Sequence, residues 1–385
     1  MLPFVICAAL IYVPYYFFSA SDLFSISLKY DLFEHSVYGL LPSAIILLAA
    51  FVASPVGSLA RPKHYRVDRW LRVLLWMLLV LSLVVQALQL FVALGAYLRG
   101  GYMAARIAGI VEGVGIIIRL DLLVIPLLAA ITKSRKTTLY ILAIAVMLHL
   151  GRSVVMSERV ALIEVVCLAW VVLPLCDVNG ISVKKGLLGA AFIFATFSLL
   201  LSLRLDQQSQ VGGKFDSNST TFISSLSAYY ADTTNKYYQV AAGDFTYPGR
   251  SYLAPVSVVA DPGSNRAADY KLLLDRLEST SGRINSGLNN PGGLAQDASD
   301  FGLISYLVIA VKFFIFAIIW KRRYNGIVYL SLATIVLIAV LEYPRFNYLY
   351  MPFAAYLALI SLALGMLLRY SSRRVNEAAM EKGMQ

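Results

Sequence analysis

The chain reads as an all-α polytopic membrane protein of about ten transmembrane helices. Three observations predict this. Of its 385 residues, 59% are hydrophobic and 14% charged, and the mean hydropathy of +0.71 is too high for a water-soluble domain of this size. The apolar runs are long, as from Val73 to Leu94, whereas a transmembrane β-barrel shows alternating segments of about ten residues. A single long polar stretch, Arg204 to Asp300, interrupts them. Its Asp206-Gln207-Gln208-Ser209-Gln210 segment belongs in water, because every peptide group inside hydrocarbon needs a partner.

The expected spans lie near 3–20, 38–60, 70–95, 113–132, 137–155, 159–175, 186–203, 301–320, 325–341 and 347–368. Each is an apolar run of about twenty residues bounded by charge or turn residues. The first is read as a retained helix. Pro3 to Phe18 lacks a basic leader, and Phe18 stands where a cut after Ala20 would want a small residue. Arg61, Lys63, Arg66, Arg69 and Arg72 follow the second span, and Lys133, Arg135 and Lys136 follow the fourth. Lys184 and Lys185 precede the seventh, Lys321, Arg322 and Arg323 follow the eighth, and Arg369, Arg373 and Arg374 follow the tenth. All these clusters fall on one side, which the positive-inside rule makes cytoplasmic. Both termini are then cytoplasmic and the long loop faces out. The chain divides into an N-terminal bundle (1–203), the outer loop (204–300), a C-terminal bundle (301–370) and a cytoplasmic tail (371–385).

Within the loop, Tyr270, Leu273, Leu274 and Leu277 recur at helical spacing, as do Phe222, Leu226, Tyr229 and Tyr230. Both patterns predict short amphipathic helices. Tyr247-Pro248-Gly249, Asp261-Pro262-Gly263 and Asn289-Asn290-Pro291-Gly292-Gly293 mark turns. No internal repeat is visible, which weighs against a transporter of two related halves.

A formal charge of +11 invites a nucleic-acid reading, but the charges follow topology rather than one soluble face, so no nucleic-acid partner is expected. Cys7, Cys167 and Cys176 lie in or beside apolar spans and imply no disulfide framework. Widely separated histidines, no CxxC and no Asp-x-Asp predict no metal site. No Walker loop or GxGxxG is present, and no cofactor is expected.

The outer side is rich in arginine, whose planar fork pairs bidentately with phosphate or carboxylate. Arg119, Arg152, Arg159, Arg250, Arg276 and Arg345 are the candidate anion-binding residues. Arg276 could equally solvate an amphipathic helix. The residues at or inside spans are more telling, because an ionisable group there is expensive and usually faces a polar cavity. They are the Gly151–Arg159 connection, the Glu342–Tyr348 connection, and Arg119 with Asp121; structural ion pairs between helices are the plainer account of all three. Arg119 and Asp121 are two apart, so they face differently and each needs its own partner. Lys312 and Glu164 also lie within spans and need internal partners. The candidate bases are Glu158, Asp297, Asp300 and His149. Asp297 and Asp300 share a helix face if the eighth helix begins early enough, where they could instead favour its N-terminus. A lone histidine in an apolar run is more often a helix-contact residue. Tyr229 and Tyr237 offer faces for sugar stacking.

This layout resembles the Wzy-type O-antigen and capsule repeat-unit polymerases. The Gly151–Glu158 turn with Arg159 resembles the family's pattern before a central span. Pro248-Gly249-Arg250-Ser251 resembles its loop arginine, and Asp300-Phe301-Gly302 resembles the start of the helix after the loop. Arg276 and Gly287 fit the Arg-x10-Gly spacing of some members. The resemblance implies a GT-C-like, O-antigen ligase-type architecture in a bacterial inner membrane with the large loop periplasmic. It implies a metal-independent glycosyltransferase that passes a growing glycan from undecaprenyl pyrophosphate onto a new lipid-linked repeat unit. Membrane lipid, a chain-length regulator and a flippase are the implied partners. An O-antigen ligase would share fold and donor, and acceptor identity decides between them. A lipid-linked oligosaccharide flippase would need a matching cytoplasmic cavity. A membrane O-acyltransferase must reach a cytoplasmic acyl donor, which a large outer loop does not help.

Overall fold

An apolar chain in hydrocarbon satisfies its backbone most simply as helix, and helix is what the computed structural model contains. It describes residues 1–19, 32–53, 64–109, 114–132, 134–156, 158–176, 230, 233–234, 236–238, 240–241 and 292–383. The helices are α1 (Leu2–Ser19), α2 (Leu32–Val52), α3 (Arg69–Gly109), α4 (Asp121–Ile131), α5 (Arg135–Met156), α6 (Arg159–Val172), α7 (Gly293–Phe301), α8 (Ser305–Arg322), α9 (Ile327–Glu342) and α10 (Pro352–Gly383). No strand occurs among the described residues. Helix occupies every expected span except 186–203, which lies outside them together with nearly all of the 204–291 loop. Four segments are long and apolar enough to cross a membrane: Arg69–Gly101, Arg135–Met156, Gly293–Arg322 and Pro352–Glu377. Shorter apolar helices cover Leu2–Pro14, Leu40–Val52, Val160–Cys176 and Ile327–Glu342. The protein is an all-α membrane protein.

Two compact units emerge, one built from 1–56, 208–318 and 339–355, the other from 57–207, 319–338 and 356–385. In the second, α3 packs against α4 and α5, and α5 against α6. The two faces of α3 differ sharply. Leu71, Leu75, Leu79, Ser82, Gln86 and Ala93 are buried, while Met77, Leu81, Val84, Leu88 and Phe91 are exposed. Both sets recur at three- to four-residue spacing, so one face meets protein and the other is left for lipid. At 41 residues, α3 would run about 60 Å if straight, twice the hydrocarbon thickness. It breaks at Gly100 and at Gly101, where φ is 68°, a conformation that suits only glycine. Beyond the break Ala105 joins Ala93 and Met156 in one apolar cluster.

Helix α4 is buried along its whole length, as expected of a segment apolar all round. Small and hydroxyl residues let α9 and α10 approach. Ser361 donates to the Ser331 carbonyl at 2.5 Å, and a Cβ on Gly365 would meet the Ser331 Oγ at 2.6 Å, the close packing that membrane helices favour. The start of α3 is tied to α10 through Ser371, whose Oγ accepts from the Asp68 N–H and donates to Asp68 Oδ2, both at 2.8 Å.

In the first unit α1 packs on α2, with Ser43 Oγ donating to the Ala8 carbonyl at 3.1 Å. Phe313 of α8 meets Phe4 and Tyr343 edge-on, with centroids 6.3 and 4.9 Å apart. The eighth span begins earlier than the apolar pattern indicates. A separate short helix, α7, precedes it, and the chain turns at Gly302, with φ 55°, before α8.

Candidate functional site

Five of the sequence-predicted residues fall in two buried polar clusters, one in each unit: Arg119, His149, Arg152 and Glu158 in the second, and Asp297 in the first. The cluster in the second unit is built by four helical segments and one connection. A short 3-10 turn, Ile117–Arg119, delivers Arg119; α4 begins with Asp121; the last two turns of α5 carry His149 and Arg152; and α6 contributes Glu164. Glu158 sits on the connection that leads into α6, with extended backbone (φ −87°, ψ 91°).

Arg119 uses its whole guanidinium. Nε donates to Glu164 Oε1 at 2.5 Å, Nη2 to Glu158 Oε1 at 2.5 Å, and Nη1 to the Gly115 carbonyl at 3.3 Å. Glu158 is thereby a bridge, because its other oxygen, Oε2, accepts from Arg152 Nη2 at 2.6 Å. Arg152 is 1% exposed, yet its Nε and Nη1 have no partner among the described residues. Those two nitrogens carry three N–H donors, each costly to leave open in a buried site.

His149 lies between two carboxylates. Its Nε2 is 2.8 Å from Asp121 Oδ2, and its Nδ1 is 3.3 Å from Glu164 Oε2, within ion-pair range but without hydrogen-bond alignment. Asp121 is further held by the Leu122 N–H at 3.0 Å, and its own N–H donates to Ser82 Oγ of α3 at 3.2 Å. The histidine is fully buried, with Nε2 engaged by Asp121 and Nδ1 facing Glu164. Glu158 is the most open member, with 26% side-chain exposure against 6% or less for Arg119, Arg152, Asp121, His149 and Glu164. Burial pushes the Glu158 carboxyl up, but Arg152 and Arg119 outweigh it and hold the group below the ordinary carboxylate range.

The cluster in the first unit centres on Asp297 of α7. Its Oδ1 accepts from Tyr350 OH at 2.6 Å and Asn347 Nδ2 at 3.1 Å. Its Oδ2 accepts from Tyr343 OH at 2.6 Å and from Lys312 Nζ. Lys312 also lies over the Tyr343 and Tyr350 rings, 4.8 and 5.5 Å from their centroids. The start of α7 is pinned beside this cluster. The N–H groups of Gly292 and Gly293 donate to the Arg345 and Tyr343 carbonyls at 2.8 and 3.0 Å, and Gln296 Oε1 accepts the Asn347 N–H at 2.7 Å. A Cβ on Gly293 would sit 2.4 Å from the Tyr343 carbonyl oxygen, so this approach needs glycine. A carboxylate has about four lone-pair positions, and on Asp297 donors occupy all of them. That arrangement suits a structural anchor and leaves no acceptor for a substrate hydroxyl.

The remaining predicted residues are dispersed. Asp300, half-buried, lies in the last turn of α7. Arg345 pairs with Glu342, 3.0 Å away, and stacks over Phe346 at 4.8 Å. Tyr237 is buried, its hydroxyl 2.8 Å from that of Tyr306. Arg159 opens α6, with its side chain outside the described residues, as are Tyr229, Arg250 and Arg276 entirely. Sequence reasoning singled out Lys312, Asp121 and Glu164 as intramembrane charges in need of partners but gave them no role. Asn347 was marked only as part of the Glu342–Tyr348 connection and Tyr350 not at all, because nothing in a polar residue at a helix junction says which carboxylate it will meet. Among the described residues, no group of three or more His, Cys, Asp or Glu side chains is arranged to hold a metal ion. No family model, curated protein or solved structure matches the chain.

Proposed function

We propose that this chain is a glycosyltransferase of GT-C-like architecture that polymerises undecaprenyl-pyrophosphate-linked oligosaccharide repeat units at the periplasmic face of a bacterial inner membrane. The product is an O-antigen, capsule or exopolysaccharide. The observation that carries this reading is the pair Arg119 and Arg152, bridged by one carboxylate and buried beside apolar helices, with three donors of Arg152 open among the described residues. Such a site is built for a bulky oxyanion rather than for a neutral sugar.

In the reaction an acceptor hydroxyl oxygen bonds to the anomeric carbon of the growing glycan. The bond from that carbon to the diphosphate oxygen breaks, and the lipid diphosphate leaves with the electron pair. The arginines stabilise the charge that develops on the leaving group, which is why no metal is required of the mechanism. A base takes the hydroxyl proton. Among the candidate bases, Glu158 keeps solvent access, with 26% of its side chain exposed, and stands beside the arginines, so it is the base of choice. Asp297 and His149 serve to hold helices in place. The aromatic side chains of the outer loop provide surfaces for the glycan.

The test uses the purified full chain in detergent with a synthetic undecaprenyl-pyrophosphate-linked repeat unit of the host strain, with EDTA present, and reads product length on a gel. A ladder that disappears in Arg152→Ala while the protein stays folded is the expected result. Unchanged substrate, with transbilayer movement of the same lipid in liposomes, would overturn the polymerase in favour of a flippase.

A further inference from the structure

We propose that Glu158 is a built-in placeholder for the substrate diphosphate: it occupies the arginine pair in the resting protein and is displaced from it when the lipid diphosphate binds. The inference rests on the polymerase reading above and adds to it a competition within the chain.

Four features of the cluster point this way. Glu158 presents its two oxygens to two different guanidiniums, 2.5 and 2.6 Å away, which is the way one phosphate group would span them. It is the only member of the ion cluster attached to the connection between α5 and α6 rather than to a helix or 3-10 turn, so it can swing away without unwinding either. It is also the member with substantial exposure, so its departure does not carry a charge through the protein interior. Among the described residues, Arg152 retains three buried N–H donors that the carboxylate on Nη2 does not serve, whereas a tetrahedral anion with several acceptor oxygens would serve them. The resting contact is therefore incomplete on the arginine side, and a diphosphate completes it.

The charges lead to the same conclusion. Asp121, His149 and Glu164 lie deeper and are tied to one another and to Arg119. With Glu158 in place, its negative charge cancels one arginine and weakens the pull on any incoming anion. With Glu158 swung out, the anion meets both guanidiniums, and the carboxylate has lost the two cations that hold it ionised. That change strengthens it as the acceptor of the hydroxyl proton.

The experiment measures binding of inorganic pyrophosphate to the purified full chain in detergent by titration calorimetry, with unfolding midpoints recorded in parallel. Glu158→Gln keeps the shape and removes the charge. It is expected to bind pyrophosphate at least about tenfold tighter than the native chain, equivalent to about 1.4 kcal/mol, while polymerisation is lost. Arg152→Lys in the Glu158→Gln background is expected to abolish the gain, which separates displacement at this arginine from a general loss of negative charge. Glu158→Asp, too short to span both guanidiniums, gives an intermediate gain and covers the case in which the glutamine variant fails to fold. Equal or weaker binding by folded Glu158→Gln overturns the placeholder and leaves the arginine site standing. No pyrophosphate binding by either folded protein overturns the arginine site as well.

Discussion

Lys312, in an apolar helix, donates an ammonium N–H to the fully buried carboxylate of Asp297 in α7. This pair, with the Tyr343, Tyr350 and Asn347 donors, fastens α7 and the α9–α10 connection to α8. Removing one partner leaves an uncompensated charge in a buried site, which costs about 3–5 kcal/mol. Lys312→Met is therefore expected to lower the unfolding midpoint of the detergent-solubilised protein severely. Adding Asp297→Asn to it should recover much of the loss, so the double variant is more stable than the single one. Strictly additive losses would show that the two residues do not act as a pair.

Arg119 divides its fork between Glu164, Glu158 and the Gly115 carbonyl. A lysine has the charge but a single nitrogen, which cannot span the same positions. Arg119→Lys is expected to cost about 2–4 kcal/mol and to expose the α4 to α6 region to limited proteolysis. A native-like unfolding midpoint in that variant would mean that the bridging geometry contributes nothing to folding.

Glu158 gives the protein a definite acid response. Its folded-state pKa lies below the unfolded value of about 4.3, because Arg152 and Arg119 favour the charged form more than burial opposes it. The stability that this pairing contributes is full above the unfolded value and is lost as the pH falls through the lower folded value. The stability difference between the native chain and Glu158→Gln should accordingly be constant from neutral pH to about pH 5 and shrink below it. Parallel stability profiles down to about pH 3 would show that the carboxylate is not held in this way.

The break in α3 rests on one backbone conformation. At Gly101, φ 68° and ψ −163° define a region open essentially to glycine alone, and a side chain there costs about 1–3 kcal/mol. No atom lies within 4 Å of a Cβ added at Gly101, so the penalty is conformational and not steric. Gly95, only six residues earlier in the same helix, would bring a Cβ no closer than 3.8 Å to its neighbour, the Arg99 side chain. Gly101→Ala should lower the unfolding midpoint, and Gly95→Ala should leave it unchanged or raise it by the gain in helix propensity.

The helices themselves were legible from the apolar runs, since hydrocarbon leaves the backbone few other ways to pair its polar groups. That argument needs only composition and length, and it located α1 to α6 and α8 to α10, although α3 and α10 run well past the expected ends at 95 and 368 and α4 starts only at Asp121. It missed the division between α7 and α8, because Gly302 interrupts the helix by its dihedral angles and not by any change of polarity. The need for partners at Arg119, Asp121, Glu164 and Lys312 was equally legible from the cost of a charge in a span. The separation of Arg119 from Asp121 was also foreseeable from helical geometry. Arg119 turns to Glu164 and Glu158, and Asp121 turns to His149.

Which partner each charge finds was decided by tertiary structure alone. Asp297 and His149 look like candidate bases in the sequence, yet packing surrounds the first with four donors and the second with two carboxylates. Arg152 and Glu158 look like neighbours on one turn, yet the fold brings Arg119 to the other side of Glu158 from a segment 39 residues away. The physical reason is the same in each case. Burial is a local property that apolar periodicity reveals, whereas an ion pair is a meeting of two segments whose distance along the chain carries no information about their distance in space.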